Sequence, residues 1–384
     1  MNSLKDEISA IITSRAVPYH KVSIILGIIL SVLFTTIYSN NYIEEANVAV
    51  IDLDNSRYSR EFTELLDTSP YINIKNVYYT PQKPDELMYH DEHVAVVYIP
   101  QEFEKRRYNK TPNNIGIFYD NCNAAQLANL REALNEIAGE ANAEIGAEEI
   151  AKLGLNSVQV QSVMQNISLK ERLLFNPLDA HSNSNTFGFL FFFGSMFLVF
   201  ATIGMVPRLK LERKWEDELG GCAFCLMART LPYVFCYTVS MVLGLAITKL
   251  IGDLTVAGNL LLLVASITLL GMAVALMAVL IGWGAANPGV ASSRMIFFIP
   301  GGFILGGASG PMNVLPQWVQ IASNVFPLVW GYRILRDVLL RGAPFSACLP
   351  ELIEFLLFTG VIAALIYWRF GHERKKLTDG GERK

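Results

Sequence analysis

Five long apolar segments constrain this chain more than anything else in it: Val22–Tyr38, Phe187–Val206, Leu231–Ile251, Leu260–Trp283 and Ile353–Trp368. Each is close to the ~17–25 residues a helix needs to cross ~30 Å of hydrocarbon, where no water satisfies a bare backbone. A sixth, Met295–Ser309, is shorter and carries Pro300, Gly301, Gly302, Gly306 and Gly307, which reads as a kinked, tightly packed span. The fold class expected is therefore an α-helical polytopic membrane protein with six transmembrane helices. Only 17% of the residues are charged and 52% are hydrophobic, whereas soluble chains average about 25% charged. The first apolar run exceeds the ~7–15 residues of a signal-peptide core, and Ser39-Asn40-Asn41-Tyr42 offers no small-x-small cleavage site. It reads as a retained anchor.

Lys and Arg near span ends set orientation. They gather in three places: Lys5, Arg15 and Lys21; Arg208, Lys210, Arg213, Lys214 and Arg229; and Arg369, Arg374, Lys375, Lys376, Arg383 and Lys384. With six spans all three fall on one side, which the positive-inside rule makes the cytoplasm. The opposite side receives Gly252–Gly258, which has no Lys or Arg, and the segment 310–350 with Arg333, Arg336 and Arg341. Residues 1–21 are then a cytoplasmic N-terminal segment, 22–38 the first transmembrane helix, and 39–186 an extracytoplasmic domain. Residues 187–368 form a membrane domain with spans 2–6, and 369–384 a basic cytoplasmic tail. A net charge of -4 without a long basic stretch excludes nucleic acid as a partner.

The inserted segment alternates strand and helix signals, which predicts an α/β domain. Asn47–Leu53, Tyr71–Tyr79, Val94–Ile99 and Asn114–Tyr119 read as strands. Ser56–Asp67, Pro84–Tyr89 and Gln101–Tyr108 read as helices between them, with Ser56 an N-cap. Ala124–Gln165 is free of proline and reads as one or two long helices, and Asn176-Pro177 ends the pattern. Asp52-x-Asp54-Asn55-Ser56 lacks the further oxygen ligands and distal Glu of a calcium loop, so it reads as a turn that starts a helix. His90 and His93, bracketing Asp91-Glu92, read as a solvated turn rather than a metal site. Cys222-x-x-Cys225 has no second ligand pair and reads as packing. Cys122 and Cys348 both fall outside, where a disulfide between them stays open. No G-x-x-x-x-G-K-[ST], G-x-S-x-G or H-E-x-x-H occurs. The chain is expected to bind no cofactor and no metal and to take its chemistry from a partner.

Two stretches carry the functional signal. The loop 207–229 contains Leu209-Lys210-Leu211-Glu212-Arg213-Lys214-Trp215-Glu216-Asp217-Glu218-Leu219, a charged amphipathic run stopped by Gly220-Gly221. It reads either as an interfacial helix or as a helix that docks on a cytoplasmic ATPase. The segment 310–348 holds Pro311, Leu315-Pro316-x-Trp318, Phe326-Pro327 and Trp330-Gly331-Tyr332-Arg333-x-x-Arg336-Asp337 before Gly342. It is too apolar for a loop and too broken by proline to span, which predicts re-entrant helices in the outer leaflet.

A charged helix after the second span, with G-x-x-x-x-P (Gly306–Pro311), Leu315-Pro316-Gln317-Trp318, Pro327, Arg333 and Gly342 before the last, resembles the ABC-2-type transporter permeases. Val48–Ser56, Ile99-Pro100-x-x-Phe103 and Tyr119-Asp120 resemble the branch of that family with a large external domain between spans 1 and 2. The resemblance implies a permease half of an ABC exporter for a hydrophobic or amphipathic cargo. It pairs with a second permease subunit, and cytoplasmic ABC ATPase subunits supply ATP and Mg from a separate chain. Membrane lipids and a periplasmic adaptor are the further partners. It implies a coupling role for Glu212, Arg213, Trp215 and Glu216, and re-entrant positions for Pro311, Pro316, Trp318, Pro327, Arg333 and Arg336. Cargo would meet apolar side chains of the second and fifth spans. One departure stands out: Glu216-Asp217 occupy the place where such permeases commonly carry Gly-Thr after Glu-Arg. The competing expectation is a non-transporting envelope anchor whose external domain binds a secreted protein, phage or adaptor.

Overall fold

The computed structural model describes residues 2–37, 46–88, 93–109, 111, 113–119, 124–151, 181–252, 254, 256–307 and 316–381. Two compact units emerge: Met1–Asn41 with Leu173–Lys384, and the inserted Tyr42–Arg172. The first opens with a short amphipathic helix, α1 (Asn2–Ile12), which buries Glu7, Ala10 and Ile11 and exposes Ile8 and Ile12. It turns at Ser14 into α2 (Tyr19–Ile37), the first long apolar helix.

The inserted unit is a four-stranded sheet with helices between its strands. In chain order it comprises β1 (Ala46–Asp52), α3 (Arg57–Asp67), β2 (Ile72–Tyr78), α4 (Pro84–Leu87), β3 (Ala95–Ile99), α5 (Phe103–Tyr108), β4 (Gly116–Tyr119) and α6 (Ala124–Ala151). The strand order is β2-β1-β3-β4; β1 runs parallel to β2 and β3, and β4 runs antiparallel to β3. Central β1 is covered on both faces, which is why Val48-Ala49-Val50-Ile51 is apolar without alternation. Leu130, Leu134 and Ile137 of α6, spaced as one helical stripe, join Val48, Val50, Phe62 and Leu66 in the main core of this unit.

The acidic turn after β1 is built for structure. Asp52 Oδ1 accepts from the backbone N–H of Asp54 and Asn55, and its Oδ2 accepts from Ser59 Oγ at 2.7 Å. Ser56 caps α3 in a reciprocal box with Ser59. Asp54 Oδ2 accepts from Glu104 N at 3.0 Å at the start of α5. Burial pushes the Asp54 carboxyl up, but the Ser56 hydroxyl and the N–H groups of Glu104, Phe103 and Glu102 outweigh it and hold the carboxyl below its ordinary value. The solvated-turn reading of His93 is overturned: its ring is buried, Nδ1 meets Leu87 O at 2.7 Å, and Nε2 meets Asn76 Nδ2 at 3.1 Å. A carbonyl can only accept, so the proton sits on Nδ1 and Nε2 accepts from the amide. His90 and Cys122 lie outside the described residues, as do Asn176-Pro177.

The chain then runs through α7 (His181–Thr202), α8 (Met205–Leu211), α9 (Trp215–Gly220), α10 (Ala223–Ala228), α11 (Leu231–Gly252) and α12 (Leu260–Gly282). After these come α13 (Pro288–Ser293), a 3-10 turn (Arg294–Phe297), α14 (Ile299–Leu305), α15 (Gln317–Ser323), α16 (Pro327–Leu339) and α17 (Phe345–Gly381). Among the described residues, five helices are long and apolar enough to cross a membrane. The protein is a multi-pass membrane protein.

Two expectations change. Met295–Ser309 is not one helix: it is broken between the 3-10 turn and α14, whose first turn holds Pro300. Proline lacks an N–H and is accommodated there because no partner within the helix exists for it. The last helix extends well beyond Ile353–Trp368 at both ends, with Pro350 near its start.

Small residues decide how the helices pack. On α2, Ser23, Gly27, Ser31 and Thr35 recur every fourth position and face Ser240, Gly244 and Gly252 on α11. A Cβ at Gly244 would fall 2.7 Å from Ser31 Oγ, and one at Gly27 would strike Ser240. Dispersion and close backbone approach are the main attraction left between helices in lipid, and small residues permit both. Helix α12 is central, with Leu270, Ala273, Val274, Ala275 and Ala278 fully buried against α7, α11, α16 and α17.

Candidate functional site: a charged platform joining the N-terminal helix to the loop before the third span

Residues 205–230 form three short helices, α8 to α10, rather than the single helix expected over Leu209–Leu219. The break is at Arg213, whose φ is 58°. Lys214 N donates to Leu209 O at 2.9 Å and Arg213 N to Lys210 O at 3.2 Å, the paired bonds of a Schellman turn. That turn prefers glycine; here arginine takes the left-handed conformation, so the stop was invisible to a search for Gly or Pro.

The turn brings Arg208, Lys214, Glu218 and Arg229 beneath α1. Arg208 Nη2 donates to both oxygens of Glu7 at 2.6 Å, Tyr233 Oη donates to Glu7 Oε1 at 2.6 Å, and Arg229 Nη1 donates to Glu7 Oε2 at 3.1 Å. Lys214 Nζ reaches Asp6 Oδ1 at 2.7 Å and Arg229 Nη1 reaches Asp6 Oδ2 at 3.0 Å. Arg229 Nη2 closes the cluster on Glu218 Oε2 at 2.7 Å, which also accepts from Ser3 Oγ. Arg15 adds a looser contact to Asp6 at 3.7 Å, so that three acids meet four bases. The Glu7 side chain is 0% exposed and that of Arg229 is 4%, a depth at which a charge persists only when paired and hydrogen-bonded. Burial pushes the Asp6 carboxyl up, but Lys214 and Arg229 outweigh it and hold it below the ordinary value. Neither Asp6 nor Glu7 stood out in the sequence, because their partners lie about two hundred residues away.

A second tie runs to the end of α17. Glu373 accepts from both indoles, Trp215 Nε1 at 3.0 Å and Trp283 Nε1 at 2.8 Å, and lies 3.6 Å from Lys210 Nζ. The indoles meet edge to face with centroids 5.4 Å apart, and Phe370 packs beside them. Trp215 is therefore turned inward, 8% exposed, instead of standing out as an aromatic docking anchor. Glu212 is half-buried beside Lys214, whereas Arg213, Glu216 and Asp217 form the exposed edge.

The other predicted residues lie apart from this platform. Pro311 is outside the described residues. Pro316 starts α15, which exposes Trp318 and Ile321, and Pro327 opens α16. The Arg333 guanidinium lies 5.4 Å from the Trp330 ring centroid, and Arg336 donates to Gly307 O at 2.7 Å and Gly306 O at 3.2 Å, covering the end of α14. Arg336 thus serves backbone carbonyls, and Asp337 pairs with Arg341. Cys348 is buried. Between the second apolar segment and the broken one that holds Phe303, Phe189 and Phe192 of α7 meet Phe303 of α14 with ring centroids 5.1 and 4.7 Å apart. Phe34 stacks on Phe189 and Phe193 from α2.

Among the described residues no group of three or more His, Cys, Asp or Glu is placed to hold a metal ion. What the platform can do is mechanical: it joins both ends of the chain to one loop through groups that cannot separate cheaply. Residues 22–368 match the model of a family described as ABC-2 family transporter protein. No curated protein matches the chain.

Proposed function

The chain belongs to the ABC-2 family of transporter proteins and is the permease component of an ABC transporter, and from that premise we propose an exporter whose charged platform receives force from a separate ATPase. The observation that carries this reading is the two-sided character of α8 to α10. Their inner side is fixed to α1 by buried charge pairs and to α17 by the Trp215 indole on Glu373, and their outer edge presents Arg213, Glu216 and Asp217. An edge of charges on a rigid base suits a docking surface, which must transmit displacement without yielding itself. Glu212 shapes the turn, and Trp215 acts from inside as the pin between loop and last helix. ATP and Mg belong to the partner chain, which works beneath a pair of permease subunits.

Orientation follows the basic residues: both termini and the platform are cytoplasmic, in an inner membrane crossed six times, with α13, the 3-10 turn and α14 forming the broken fifth crossing. The inserted unit then lies outside, where it meets cargo or an envelope partner. The half-buried aromatic face of α7, with Phe189 and Phe192 against Phe303 and with Phe193 and Phe197 on the same helix, favours an apolar or amphipathic cargo. Helix α15, which exposes Trp318 and Ile321, suits the outer leaflet.

The test pairs the permease with its ATPase in inverted vesicles and follows ATP-driven movement of a hydrophobic dye. Arg213→Ala with Glu216→Ala is expected to cut transport at least about tenfold while the isolated ATPase keeps its own turnover. Wild-type transport by the double variant would remove the coupling role.

A further inference from the structure

The Cys222-x-x-Cys225 pair is not packing. Cys222 is exposed at the N-cap of α10 and makes no capping hydrogen bond there, while Cys225 is half-buried one turn on. Ser, Thr, Asp or Asn at an N-cap accepts from an N–H of the first turn; the Cys222 thiol makes no such bond. Cys225 N donates to Cys222 O at 2.8 Å. That bond closes a turn whose end Cα atoms lie within about 7 Å, overlapping the ~4.4–6.8 Å that a disulfide spans. Of the two preceding residues, Gly220 has open space where a Cβ would stand, whereas one at Gly221 would lie 3.2 Å from Glu218 O.

We propose that Cys222 and Cys225 are a reversible dithiol–disulfide site, oxidised by a small disulfide of the glutathione class. The Cys222 thiolate attacks one sulfur of the oxidant and releases the first thiolate, leaving a mixed disulfide on the exposed residue. Cys225 then loses its proton and attacks the Cys222 sulfur, forming the internal disulfide and expelling the second thiolate. The protein loses two electrons and two protons, and the oxidant becomes two thiols. Outside secreted disulfide frameworks, Cys at such spacing is more often metal-binding or catalytic than structural, and among the described residues no group of three or more His, Cys, Asp or Glu is placed to hold a metal ion. The chemistry does not depend on the transport reading. Its consequence does, since a closed ring would stiffen the turn that follows the exposed edge of the platform.

The experiment treats the full chain in membrane vesicles with oxidised glutathione, blocks remaining thiols, and reads the 220–229 peptide by mass spectrometry. The wild type is expected to lose two hydrogens in that peptide and to retain no glutathione. Cys225→Ser is expected to hold glutathione stably on Cys222, and Cys222→Ser to react at least about tenfold more slowly. A persistent glutathione adduct on the wild type, or two thiols left free under conditions that modify Cys225→Ser, would overturn the proposal.

Discussion

Arg213 and Glu7 are residues whose neighbours make opposite demands on them. Arg213 holds a backbone conformation that costs a non-glycine residue about 1 kcal/mol or more, on a turn whose other bonds are sound. Arg213→Gly is expected to leave the thermal midpoint unchanged or raise it, while docking on the ATPase weakens. Thermal unfolding in detergent and a pull-down separate these two effects. Glu7 is the reverse case. Removing one member of a buried, paired charge cluster typically costs about 3–5 kcal/mol, so Glu7→Gln is expected to lower the unfolding temperature by several degrees or to abolish accumulation. Asp6 adds a dependence on acidity. Its carboxyl sits below the ordinary value when folded, so its contribution is complete above the unfolded value near 3.8 and vanishes as pH falls through the lower folded value. Asp6→Asn should therefore melt earlier than wild type at pH 7, and the gap should close below about pH 4. A gap that widened with acidification would contradict the assignment.

At the scale of elements, the seam between α2 and α11 is the most sensitive structure. Gly244→Leu would drive a branched side chain into Ser31 and Leu190, and is expected to separate the two helices. Crosslinking between cysteines placed at Ser23 and Ser240 would report the loss, whereas Gly139→Ala, which meets nothing, should leave the same crosslink intact. How far each element could be read from sequence follows from the range of the forces that make it. The long spans were legible because about twenty apolar residues in a row have few other fates. The fourfold spacing of Ser23, Gly27, Ser31 and Thr35 is equally local, but its four small residues are masked by the stronger hydropathy of the run that contains them. The break at Arg213 was not legible, because the turn that causes it normally advertises itself with glycine. The inward turn of Trp215 was hidden too, since its acceptor, Glu373, lies 158 positions later.

Across the molecule, the largest single device is the fastening of both chain ends to one loop. Deleting α1 would strip Arg208 and Arg229 of Glu7 and Asp6 together. The expected outcome is a protein that inserts but fails to couple, or one that is degraded; adding back a peptide of residues 1–16 tests whether the contact alone suffices. The same fastening has a consequence in time. Glu7 leaves the ribosome first, and Arg208 follows 201 residues later, which at about 5–20 residues per second is a delay of roughly 10–40 s. During that interval Asp6 and Glu7 have none of the partners Arg208, Lys214 and Arg229. They become buried only after the second and third apolar segments have been made and inserted.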